Sequence, residues 1–185
     1  MQIFRKYPIA GVVLAGLCLT GAAFAMMRTT MKKAPPERPA YFIDLNTERI
    51  FVAGGDTSPV RAPSGRLPDG GDAGFRAYIY TCDQPFDARG LTLEQLRNKG
   101  GDIAYISMYT PESREAQVEL RGTAFSDEDL RLYDLMKIIR AGHLIRSLDS
   151  EAWVQADSEE AYKLEMAPHD RCDGLSPTQL SPQRR

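Results

Sequence analysis

The stretch Ile9–Met27 (IAGVVLAGLCLTGAAFAMM) carries no charge and no strong turn former other than glycine. As a helix its roughly 19 residues would span about 28 Å, close to the hydrocarbon thickness of a bilayer. Whatever follows is therefore held at a membrane or exported through one. Two expectations for this stretch compete. Arg5 and Lys6 precede it, and Ala23-Phe24-Ala25 has the small-x-small form that a signal peptidase accepts, so cleavage after Ala25 would release a secreted protein starting at Met26. Against that, the apolar run is longer than the usual core of a signal peptide and continues through Met26 and Met27, which favours an uncleaved transmembrane anchor. Gly11, Gly16 and Gly21 are spaced too far apart for the Gly-x-x-x-Gly packing motif and read as ordinary membrane-helix glycines. Leu17 precedes Cys18, where a lipoprotein signal would need a small residue.

Charge does not orient the anchor. Arg5 and Lys6 lie before it, and Arg28, Lys32 and Lys33 after it, so the positive-inside balance is nearly even. The cysteines say more. With Cys18 inside the apolar run, Cys82 and Cys172 remain, and a pair in an exported domain suggests one disulfide. It would tie the C-terminal segment to a strand and close a loop of roughly 90 residues, contributing a few kcal/mol. The bland alternative is two unrelated thiols in a cytosolic domain.

After the anchor there are about 150 residues, enough for one domain with its own core. All 25 acidic residues lie after Lys33, together with 18 of the 23 basic ones, a net charge of −7 for this part. That argues against nucleic acid or anionic lipid as a partner of the domain.

Residues 1–8 form a short basic N-terminus and residues 28–39 a basic, proline-rich stalk, in which Ala34-Pro35-Pro36-Glu37-Arg38-Pro39 favours extended polyproline geometry. The domain proper is expected over residues 40–168. It opens with a hairpin pattern: Tyr41, Ile43 and Leu45 alternate, Asn46-Thr47-Glu48 supplies a turn, and Ile50, Phe51 and Val52 resume. Gly54–Gly74 is rich in Gly, Pro, Asp and Ser and is read as a long surface loop, mobile rather than a phosphate cradle. Phe75–Cys82 reads as a strand. Leu91–Lys99 reads as a short helix with Thr92 as N-cap and Gly100 as stop. Ile103–Tyr109 is a further strand, and Thr110-Pro111 opens a helix to about Leu120. Ser126 caps a helix whose apolar face is Leu132, Leu135, Met136 and Ile139, ended by Gly142. Ala152–Ala156 is a short strand with Trp153 as a core anchor, and a last helix begins at Asp157 and ends at Pro168. Residues 169–185 are expected to be a polar, flexible tail.

Candidate chemistry is sparse. His143, just past a helix end, reads as a surface histidine near that helix's negative end. His169 sits beside Asp170 and Cys172, but a metal site needs more ligands than the sequence places nearby. There is no Gly-x-Ser-x-Gly, no Cys-x-x-Cys and no paired-histidine motif, so no catalytic, cofactor-binding or metal residue is assigned and the chain is read as a non-enzyme.

The stretches Tyr41–Phe51, Gly74–Cys82, Tyr109–Glu115 and Trp153–Glu159 are similar to recurring segments of a group of uncharacterised single-span envelope proteins of planctomycete bacteria: a YFYDLNTG-LF hairpin, a G-RAYVYSC strand, a YTPEAK helix start and a W-ADS-EG segment. The resemblance covers much of the domain, and the hairpin is its most specific piece. It implies a membrane-anchored, extracytoplasmic α+β domain and carries no catalytic residues. The expected fold is one antiparallel sheet of four or five strands with three or four short helices packed on it. The expected role is protein interaction or an accessory part in the envelope. The alternatives are an envelope hydrolase using a carboxylate pair, and a redox or metal sensor using Cys82, Cys172 and His169.

Overall fold

Four successive side chains of the first strand, from Tyr41 to Asp44, are buried. Strand side chains alternate between faces, so a strand buried on both must sit inside a sheet covered on both sides. The computed structural model describes residues 38–54, 57–122 and 130–182 and has that arrangement. The anchor Ile9–Met27, most of the stalk and the Ser126 cap lie outside these residues. Among the described residues no helix is long and apolar enough to cross a membrane.

The elements in chain order are β1 (Pro39–Asp44), β2 (Arg49–Gly54), β3 (Gly74–Thr81), α1 (Leu93–Asn98), β4 (Gly101–Tyr109), α2 (Pro111–Gly122), α3 (Leu130–Ala141), β5 (His143–Arg146), β6 (Val154–Gln155), α4 (Glu159–Arg171) and β7 (Thr178–Gln179). The strands form one antiparallel sheet in the order β2-β1-β3-β4-β5-β6, and β7 also pairs with β3. β4 runs along one edge of β3. The other edge is shared, with β1 opposite Gly74 to Arg76 and β7 opposite Tyr80 and Thr81. The protein is thus α+β with an antiparallel sheet, as the sequence pattern predicts, but with seven strands where four or five are expected. β5 and β7 are the additions. They are four and two residues long, too short to display an alternation.

One face of the sheet carries Tyr41, Ile43, Ile50, Phe75, Ala77, Ile79, Ile103 and Ile106, which together with Leu96 of α1, Ala88 and Leu180 make the main apolar core. α1 starts where the sequence places it. Thr92 Oγ1 accepts from Gln95 N, Gln95 Oε1 accepts from Thr92 N, and Gly100 follows at φ 77°. On the opposite face α4 lies across β4, β5 and β6.

A register shift separates the two faces of β4. Tyr105 pairs with Tyr78 and Ile103 with Ile79, so Ala104 is an extra residue. Strict alternation would put Ile103 and Tyr105 on one face. The bulge at Ala104 sends Ile103 into the core and Tyr105 to the other side.

The helices α2 and α3 are stitched together by polar contacts at one end. Ser113 Oγ donates to Ile138 O at 2.9 Å, Thr110 N donates to Gly142 O at 2.9 Å, and Thr110 Oγ1 caps Ser113 N at 3.3 Å. A Cβ on Gly142 would collide with the Ser113 and Thr110 hydroxyls, so this junction requires glycine. Leu135 is buried and Leu132 and Ile139 are half-buried, but Met136 is exposed, which narrows the expected apolar face.

Three further expectations are corrected. Gly54–Gly74 is not a plain surface loop. Its described part forms bridges between Val60 and Gly74, Ala62 and Gly65, and Arg66 and Asp72, and it buries Ser58, whose hydroxyl donates to Ser107 O at 2.6 Å and accepts from Arg76 N. Nor does Pro168 end the last helix. α4 continues to Arg171 with Pro168 buried within it, and the Cys172 N–H bonds to Pro168 O. Proline there deprives only one carbonyl of its donor near the end of the helix, where the cost is smallest. Residues beyond it, read as a flexible tail, are pinned at three points, with Cys172 and Leu180 buried and β7 joined to the sheet, while most of the residues between are exposed. The reason is that a buried disulfide and one core leucine fix a segment whose composition is otherwise polar.

Candidate functional site

β3 alternates Arg76, Tyr78 and Tyr80 on the face away from the main core, and the bulge in β4 sets Tyr105 directly opposite Tyr78. The two rings stack with centroids 4.3 Å apart, and the Arg76 guanidinium lies 5.0 Å from the Tyr78 ring centre. Next to them is a cleft of about 240 Å³. Its floor is Tyr78, Ile79, Tyr80, Ala104 and Tyr105. One wall is the C-terminal half of α4, with Glu165, Pro168 and His169, and the other is the β7 segment, with Pro177 and Gln179.

Both walls are held by one covalent bond. Cys82 directly follows β3 and Cys172 caps α4, and their sulfurs are bonded, with Cα atoms 5.3 Å apart. An ionic clamp supports it: Arg171 Nη1 reaches Asp102 Oδ2 at 2.7 Å and lies 3.5 Å from the Tyr80 hydroxyl, while Arg97 Nε meets Asp102 Oδ1 at 3.2 Å. The bond uses both thiols, so neither sulfur is a free metal ligand or nucleophile here.

The electrostatics of the cleft favour hydrogen-bond donation. Burial, then the neighbouring Tyr78 and the Glu165 charge, push the Tyr105 phenol well above its ordinary value. It therefore keeps its proton and is free to donate it in a hydrogen bond, and is poorly suited to act as a base or nucleophile. The Tyr78 and Tyr105 hydroxyls, the Glu165 carboxylate and the His169 ring have no hydrogen-bond or ion-pair partner among the described residues.

Of the residues the sequence singles out, His169 lines this cleft and Cys82 and Cys172 brace it. His143 does not join it. It is half-buried rather than a surface residue, because it opens β5 and stacks on Tyr109 with centroids 4.6 Å apart. Burial, then the positive charge of Arg76, lower its pKa, with Asp157 acting in the opposite direction. Trp153 packs on the core 5.5 Å from Phe75, with the Arg146 guanidinium 5.0 Å from its ring. Among the described residues no group of three or more His, Cys, Asp or Glu side chains is placed to hold a metal ion.

The glycine-rich segment does cradle an oxyanion, but an internal one. The Asp44 carboxylate, 2 % exposed, accepts from Ser64 Oγ at 2.7 Å, Asn46 N at 3.0 Å and Ser64 N at 3.2 Å. Burial alone would raise its pKa, yet the hydrogen bonds outweigh burial and hold it below the usual carboxylate range.

Tyr78, Tyr80, Tyr105, Glu165 and Gln179 are the site residues that sequence reasoning misses. The alternation Arg76-x-Tyr78-x-Tyr80 was a visible signal of a polar-aromatic face. The contribution of Tyr105 was hidden by the bulge. No protein-family model, curated protein or solved structure matches this chain.

Proposed function

We propose that this protein is a membrane-tethered, extracytoplasmic binding domain, held by Ile9–Met27 and acting through protein interaction in the cell envelope of a bacterium. The observation that carries the reading is the Cys82–Cys172 bond, because structural disulfides persist in oxidising compartments outside the cytosol. Three further features support it. The apolar stretch Ile9–Met27 is long enough to span a bilayer, a proline-rich segment follows it, and the cleft of the domain offers tyrosine donors and a carboxylate, Glu165, that has no counter-ion among the described residues. The resemblance to single-span planctomycete envelope proteins implies the same placement. The reading carries no reaction, cofactor or nucleic-acid partner.

The test is the intact mass of the native protein from membrane extracts, alkylated without reduction. A full-length mass with alkylation at Cys18 alone is the expected result. A mass beginning at Met26 would replace the anchor with a released protein. Alkylation at all three cysteines would move the domain to the cytosol and end the reading.

A further inference from the structure

We propose that the tyrosine cleft binds a proline-rich, basic peptide segment in polyproline II geometry. The inference deepens the reading above and rests on it.

A polyproline II segment has no internal hydrogen bonds, so its carbonyls need donors from a partner, and its rings need slots between aromatic side chains. The cleft supplies donors from its tyrosine hydroxyls, and Pro168, Pro177 and the edges of the stacked Tyr78 and Tyr105 rings give an apolar border for the proline rings. Tyr78 and Tyr80 lie two residues apart on one face of β3, about 7 Å along the strand, and Tyr105 stands opposite Tyr78. Their floor is continued by Pro168 and Pro177 on the two walls. The Tyr78 and Tyr105 hydroxyls have no hydrogen-bond partner among the described residues, and both tyrosines line the cleft, so their donors remain for a ligand backbone. Ala104, the extra residue of the bulge, adds an unpaired position of main chain to the same floor.

Charge sets the sign of the ligand. Glu165 stands exposed on the α4 wall without a counter-ion among the described residues, in a part of the chain that carries a net charge of −7. An arginine or lysine flanking the prolines would meet it. Size sets the form. About 240 Å³ is below the roughly 300–1,000 Å³ of pockets that enclose small molecules, and suits two or three residues of a chain lying across an open slot. A sugar fits less well. The Tyr78 ring is already engaged by Tyr105 and Arg76, so the pair offers edges and hydroxyls, not the open ring face on which a sugar stacks.

The test uses the full-length protein in detergent micelles, with fluorescence anisotropy of a labelled decaproline carrying one central arginine, the all-proline decamer, and chitohexaose as competitor. The arginine peptide should bind more tightly than the all-proline peptide. Glu165→Gln should erase that difference, about threefold, leaving the all-proline peptide unaffected. Tyr105→Phe should weaken both peptides about fivefold with an unchanged melting temperature. Reduction should abolish binding of both. Absence of saturable peptide binding, or binding unmoved by both substitutions, overturns the proposal, and chitohexaose binding in place of peptide reassigns the cleft to glycans. The same sample is alkylated beforehand. If Cys82 and Cys172 resist alkylation while peptides fail to bind, the ligand class falls and the extracytoplasmic reading stands. If they are alkylated in the native protein, that reading falls whatever the peptides do.

Discussion

On one face of the sheet the side chains that meet across strands are Ile43 and Ile50, Ala77 and Ile106, and Ile79 and Ile103. On the other they are Phe42 and Phe51, Tyr78 and Tyr105, and Tyr109 and His143. The first face is covered by α1 and the loops around it, and its one buried phenol, Tyr41, has its hydroxyl hydrogen-bonded to Asp87 and Ala88 N. The second is covered unevenly. Phe42, Ser107 and Ile145 are fully buried, but the tyrosines by α4 keep their hydroxyls at a cleft. The difference teaches where stability and recognition can be separated. Filled apolar space yields free energy by excluding water, whereas partly wetted aromatic groups yield little of it and retain bonding capacity for a ligand.

The comparison breaks if substitutions on the two faces cost the same. Ile79→Ala should remove about 3–4 kcal/mol and lower the melting temperature by on the order of 10 °C, read by circular dichroism. Tyr105→Phe, which keeps the ring, should stay within about 1 kcal/mol of the parent. Equal losses would mean that the tyrosine face is a second core.

The disulfide sharpens the contrast regionally. Cys82→Ala should cost about 2–4 kcal/mol, with hydrogen exchange rising in α4 and β7 and little change in the pairing of β1 with β2. Uniform exchange across the sheet would instead make the bond a global brace.

Two pH experiments follow from the buried titratable groups. Asp44 has its carboxyl pKa lowered in the folded state, so its contribution is present above its unfolded value of 3.8 and is lost as pH falls through the folded value. Asp44→Asn should therefore cost about 1–3 kcal/mol at neutral pH, and the gap to the parent should close in urea melts taken below that range. The smallest effect concerns His143. Its pKa is lowered below 6.5, so the unfolded chain takes up a proton first and stability declines as pH falls from 6.5 toward the folded value. His143→Phe should preserve the stack on Tyr109 and flatten that decline in melts between pH 7.5 and 5.

Much of the fold was legible because local signals carry it. The β1–β2 hairpin, the Thr92 capping box, the Thr110-Pro111 helix start and the Gly142 stop each rest on a few adjacent residues. The site was less legible because its parts are assembled at a distance. Glu165 and Gln179 reach Tyr78 only after α4 folds back over β4, and no periodicity in α4 announces that. The bulge at Ala104 changes the parity of β4, and nothing in Ile103-Ala104-Tyr105 marks the extra residue. The Cys82–Cys172 bond was legible from the cysteine count, but the burial of Leu180 and the pairing of β7 with β3, which bring residues 178–180 into the sheet, leave no local signal.

The shared edge of β3 has a consequence for biosynthesis. Its first residues are matched by β1, some thirty positions earlier, but Tyr80 and Thr81 wait for β7, about a hundred positions later. A nascent chain that has released β1 to β6 still lacks a neighbour for the far half of its central strand, and Cys82 still lacks Cys172. Closure of the sheet therefore waits for the segment that follows α4, and a chain stopped before Leu180 emerges with its central strand exposed along half of one edge to any other chain that can pair with it.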